Sequence, residues 1–198
     1  MCKKLIYLIS FVLVVGLAVG AANADIKTGL VGYWPLNEGA GTTTVDASGN
    51  GHDGTLHNGA TWISPGFIGN GAVNIDGNAG SRVSVGTWDP GEQLTLAIWA
   101  RWTGEQNSPR TGIIGKRDGW SAEDMRWFSE VVTATGEVRM RNYTQTVSSP
   151  AGALTAFIDE WAHIAITFDR TTVIIYLNGE EVGSGSFRWA PTRQPVWD

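Results

Sequence analysis

Along most of the chain, apolar residues return at every second position in short runs, and Gly, Asn, Asp and Pro break the runs apart. A period of two is the mark of a β-strand, and the interruptions are turn residues. In "LTLAIWARW" (Leu94–Trp102), Leu94, Leu96, Ile98 and Trp102 share one face, while Thr95, Ala97, Trp99 and Arg101 share the other. Neither face is strongly polar, so both read as largely buried. Trp161–Phe168 and Thr172–Leu177 read as a hairpin turned at Asp169-Arg170. Asn178-Gly179 reads as a type I′ turn into a third short strand, "EEVGS", because both residues tolerate positive φ. "RWFSEVV" and "EVRMRNY", joined by "TATG", form a second hairpin, and "AVNIDGNAGSRVSV" gives two short strands around Asp76–Ser81. Helical spacing is scarce: "SAEDMRW" is a short helix candidate and nothing else resembles one. The pattern predicts an all-β sandwich.

Composition changes this picture only at the N-terminus. Lys3 and Lys4 precede an uncharged apolar run, Leu5–Ala22, and "ANA" (Ala22–Ala24) has the small-x-small form of a signal peptidase site. Residues 1–24 therefore read as a signal peptide and residues 25–198 as one domain, secreted or at the cell surface. The rival reading of the same run is an uncleaved membrane anchor; cleavage leaves no membrane-spanning run. Cys2 is the single cysteine, so the mature domain forms no disulfide in an oxidising compartment. It must rely on its core, a bound metal, or both. A net charge of −5, more negative once Lys3 and Lys4 are removed, argues against nucleic acid or an anionic membrane as a partner.

Four segments then come in a telling order: "GLVGYWPLNEGAGTTTVDASGNGHDGTL", "GNGAVNIDG", "LTLAIWARW" and "EWAHIAITFDRTTVIIYLNGEEVGS". Over roughly Gly29 to Ser186 they resemble the laminin-G-like jelly-roll family of the concanavalin A-like lectin and glucanase superfamily. The resemblance implies two antiparallel sheets packed face to face as a jelly-roll sandwich. It also implies a module of secreted, often multidomain bacterial proteins associated with carbohydrate recognition or adhesion. Similar domains continue past the Asn-Gly hairpin with a further strand or two carrying an acidic residue. Here the chain runs into "FRWAPTRQPVWD" and stops, so the sequence leads one to expect a sandwich truncated at its C-terminus.

The candidate chemistry begins at "DASGNGHDG" (Asp46–Gly54), where Asp46, Ser48, Asn50 and Asp53 offer side-chain oxygens among small residues. The stretch opens like an EF-hand loop, but the glutamate required at its twelfth position is His57. Two readings remain. The loop holds a structural calcium, as the resemblance implies for this region, or Asp46 and Asn50 make Asx-turns and the glycines supply positive φ. His52, His57 and His163 read as surface or hydrogen-bonding residues, since a structural zinc set lacks its cysteines. Glycosidase chemistry needs two facing carboxyl groups, and no strand carries the E-x-D-x-E pattern that the resemblance associates with catalysis.

Tryptophan supplies the other signal, with 10 in the chain. Trp34, Trp99 and Trp161 are assigned to the core. Trp88, in "GTWDPG", and Trp120, in "KRDGWSAED", sit in polar surroundings where an indole can stack on a sugar ring. Trp88 with Arg117, Asp118 and Trp120 is thus the expected ligand patch; the alternative is loop tryptophans folded over the sheet ends. The sequence reads as an exported, non-catalytic module that recognises a glycan or a cell-surface protein. A glycoside hydrolase domain of the same fold and a ligand-free architectural spacer are its alternatives.

Overall fold

The computed structural model describes residues 29–188 other than 79, 106–107, 118–120 and 122–124. The proposed signal peptide and the segment after Arg188 lie outside these residues. The strands, in chain order, are β1 (Thr43–Thr44), β2 (Gly54–His57), β3 (Thr61–Ile63), β4 (Ala72–Asn74), β5 (Arg82–Ser84), β6 (Leu94–Arg101), β7 (Arg110–Arg117), β8 (Met125–Val132), β9 (Glu137–Arg141), β10 (Thr146–Ser148), β11 (Trp161–Phe168), β12 (Thr172–Leu177) and β13 (Glu180–Ser186). A short 3-10 turn, Thr155–Phe157, precedes β11.

Two four-stranded antiparallel sheets form the body: β10-β9-β8-β7 and β13-β12-β11-β6. We call them the β8 sheet and the β11 sheet. Smaller sheets, β1-β2-β5 and β3-β4, come from the first part of the described chain. Alternation decides what lies between the large sheets. On β11, Ala162, Ile164, Ile166 and Phe168 are buried, and on β12 Val173, Ile175 and Leu177 are. They meet Trp127 and Val131 of β8, Val138 and Met140 of β9, and Val147 of β10, with Leu154 and Phe187 filling the ends. Each such side chain contributes about 1.5–3 kcal/mol by leaving water. The intervening residues face outward.

The hairpins of "TATG" and Asp169-Arg170 form as the alternation predicts, and Asn178 and Gly179 take φ of 51° and 88° in their turn. One local expectation changes and another gains its partners. The two short strands of "AVNIDGNAGSRVSV" form as β4 and β5, each with a different partner: β4 pairs with β3, and β5 with β2. "SAEDMRW" is no helix from Met125 onward, because Met125 and Trp127 are buried alternate positions of β8. Two apolar anchors at a period of two outweighed its helix-forming residues.

Candidate functional site

The outer face of the β11 sheet carries an aromatic groove. Antiparallel pairing sets Trp99 of β6 directly opposite His163 of β11, and Arg101 opposite Trp161. All four side chains therefore leave the sheet on the same, outer side. Trp99 and His163 have ring centroids 5.1 Å apart, and the Arg101 guanidinium lies 5.8 Å from the centre of the Trp161 ring. Phe67, from the connection between β3 and β4, stacks on Trp99 at 3.7 Å and lies 6.2 Å from Trp161. It is 47% exposed. Asn178 closes the far side: its Oδ1 accepts the His163 N–H, and its own N–H bonds the His163 carbonyl. Phe67, Trp99, Trp161, His163 and Asn178 line a shallow, open groove of ≈ 580 Å³.

This corrects the assignment of Trp99 and Trp161 to the core. Both are half-buried on the outer face, while Leu94, Leu96 and Ile98 of the same strand as Trp99 pack against the core. The signal was present in the alternation, which sets Trp99 beside Thr95, Ala97 and Arg101 and opposite the leucines. A tryptophan sharing a face with an arginine is poorly placed for an interior. Phe67 carried no comparable signal, because its position depends on a loop.

The four residues expected as a ligand patch are only partly described. Asp118 and Trp120 lie outside the described residues. Trp88 is half-buried; its ring stacks on His52 at 4.2 Å and 10°, and its Nε1–H donates to the Val85 carbonyl at 3.0 Å. Lys116 donates from Nζ to the Trp88 carbonyl, so Trp88 does meet the end of β7. The Arg117 guanidinium turns elsewhere, onto the Phe128 ring at 4.6 Å. Burial lowers its pKa, opposed by the charge of Glu130 and reinforced by Arg82.

The Asp46–Gly54 loop is held by its own amides. Asp46 is 5% exposed. Its Oδ1 accepts the N–H groups of Tyr33 and Ser48, each at 2.9 Å, and its Oδ2 accepts that of His52 at 3.1 Å. Asp53 Oδ1 accepts the Asp46 N–H at 2.9 Å. Asn50 donates from Nδ2 to Ser48 Oγ at 3.1 Å. Trp34 ties the loop down through its Nε1–H to the His52 carbonyl at 2.7 Å. Burial raises the Asp46 pKa, but the hydrogen bonds from Ser48, Tyr33 and His52 outweigh it and hold the carboxyl well below the ordinary carboxylate range. The bond from Ser48 is that of an Asx-turn, and both Asp46 oxygens are engaged by amide hydrogens. Among the described residues, no group of three or more His, Asp or Glu side chains gathers as a metal set.

Residues 69–197 match a laminin G family model described as the concanavalin A-like lectin/glucanases superfamily. No curated protein matches. Among solved structures, the chain is similar to an S-layer domain-containing protein (residues 221–444) from Clostridium thermocellum ATCC 27405. The identity is 23%, the TM-score 0.46, and the similarity covers 78% of this chain and 71% of that one. A likeness so distant assigns no function.

Proposed function

The chain belongs to the concanavalin A-like lectin/glucanases superfamily, and from that premise we propose that it is an exported, non-catalytic module that binds glycan in the groove of the β11 sheet. The carrying observation is the grouping of Phe67, Trp99 and Trp161 around one opening with His163, Asn178 and Arg101 at its edges. Indole and phenyl faces stack on the apolar face of a pyranose ring, and the polar edge groups take its hydroxyls. An acidic, secreted domain suits a neutral sugar in this groove better than nucleic acid or an anionic membrane.

The absence of turnover is part of the proposal, supported by where the acids lie. Glu130, on β8, is enclosed by arginines, and Glu137 is bonded to Arg139 and Thr135. Neither is free to work as half of a facing acid pair across a cleft. For the Asp46–Gly54 loop, the proposal takes the turn over calcium.

Retention by polysaccharides with release of reducing ends measured in parallel tests this function. Reversible retention without new reducing ends, weakened by roughly ten-fold or more in Trp99→Ala and Trp161→Ala, is the expected result. New reducing ends would return the glycoside hydrolase reading, and retention by no glycan would favour the spacer.

A further inference from the structure

We propose that Phe67 and the loop tip that carries it form a displaceable cover over Trp99, which holds the groove of the β11 sheet partly shut until a glycan moves the ring aside. The proposal rests on the glycan reading of that groove and gives its regulation. The Phe67 ring lies on the Trp99 ring with centroids 3.7 Å apart and planes 26° from parallel. That is the separation of carbon atoms in van der Waals contact, about 3.5–4.0 Å. A pyranose stacked on an indole occupies the same place, so Phe67 and a sugar exclude each other on this face of Trp99. Nor does a sugar fit between Phe67 and Trp161. Their centroids are 6.2 Å apart and their planes 46° from parallel. A ring held between two others needs two such contacts, about 7–8 Å in all.

The loop has a fixed base and a lightly held tip. At the base, Gly66 meets Gly71 so closely that a Cβ on Gly66 would collide with the Gly71 carbonyl oxygen. Gly71 in turn lies against Leu36 and Asn37, and its N–H donates to Asn37 Oδ1 at 3.3 Å. Between these two glycines stand Phe67, Ile68, Gly69 and Asn70, all exposed, with Ile68 at 62%. Gly69, at φ 78°, turns the chain back past the Asn37 side chain. Among the described residues, none of the four makes a hydrogen bond. The stack on Trp99 is therefore what fastens the Phe67 side of the tip.

A fastening of this kind is weak enough to open. One aromatic stack favours the closed form roughly two- to ten-fold, and a segment with few buried contacts and no backbone bonds opens locally at little cost. Only the open fraction offers the covered face of Trp99 to a ligand. The apparent affinity for a glycan is lower than the intrinsic one by that fraction, and removing the ring restores it.

Affinity electrophoresis of the full chain through gels holding hydroxyethyl cellulose, galactomannan or dextran, with acrylamide quenching of Trp99 fluorescence measured alongside, tests the cover. The Trp99 signal is the difference between chains with and without Trp99→Phe. Phe67→Ala should raise Trp99 quenching roughly two-fold or more and strengthen retention roughly two- to ten-fold, including retention too weak to see in the parent. Phe67→Trp, whose larger ring stacks more firmly, should weaken retention several-fold. Both substitutions fall on an exposed tip outside the core and should leave the fold intact. Weaker retention of Phe67→Ala would make the ring a wall of the site and overturn the cover. Stronger retention of Phe67→Trp, equal retention of parent and variants, or Trp99 quenching that Phe67→Ala leaves unchanged would overturn it too. If no gel retards the parent or either variant, the glycan reading fails by itself, and quenching still decides whether Phe67 covers Trp99.

Discussion

The two large sheets present the same apolar interior to each other and opposite chemistry to the solvent. Outside the β11 sheet stand Trp99, Trp161, His163 and the overhanging Phe67; outside the β8 sheet stand Arg110, Arg139, Arg141 and an enclosed Glu130. A period of two fixes which residues face out but leaves their chemistry free, because the core is satisfied by the other half of each strand. The aromatic face offers stacking area with little charge. The arginine face holds charge in place at the expense of unsatisfied buried groups. One sandwich can thus carry two outer faces of unlike chemistry that share no side chain.

The largest effect expected on this comparison is at Arg141. Arg141→Met removes the shorter of the two Glu130 ion pairs and leaves Arg110 at 3.6 Å, which should cost about 3 kcal/mol, or roughly 10 °C in melting temperature. Trp99→Ala should cost less, about 1–2 kcal/mol, because its ring is only half-buried, and its main effect should be on glycan retention. A Trp99→Ala penalty exceeding that of Arg141→Met would make Trp99 a core residue and break the comparison.

The Asp46 loop belongs to neither face and serves as a control for both. Asp46→Ala should cost about 2 kcal/mol through the three amides it leaves without an acceptor, and glycan retention should not change. Because the folded carboxyl titrates below the ordinary value near 3.8, this contribution is complete above that pH and is lost as pH falls through the folded value. Melting curves of the parent and Asp46→Asn should therefore converge in acid, and calcium or excess chelator should move neither. A rise of several degrees in calcium, abolished by Asp46→Ala, would make the loop a metal site. The smallest effect is expected for the exposed pair Arg170–Glu92, 3.7 Å apart: Glu92→Ala should leave the melting temperature unchanged within error.

How much could be read from the chain follows from these contrasts. The strands β11 and β12 lie where their alternation puts them, because a buried face strongly specifies register. The oxygen-rich loop was legible as either a turn or a cation site; the choice depends on which way the Asp46 oxygens point, and Tyr33, thirteen residues upstream, helps set that. The groove was half legible. Alternation puts Trp99 on the outer face, but tryptophan's usual burial favoured the core. Phe67 reaches Trp99 through a loop with no period, and Glu130 meets arginines from β7 and β9 that only sheet order brings together. Non-local pairing of this kind leaves no mark on a local pattern.

The most direct test compares Trp99→Ala/Trp161→Ala with Arg110→Gln/Arg139→Gln, each measured for retention by a neutral glycan that holds the parent. A glycan held in the groove of the β11 sheet predicts that the tryptophan pair loses it, while the arginine pair keeps it. If the tryptophan pair keeps the glycan, or if the arginine pair loses it in a protein that still melts cooperatively, the account is contradicted.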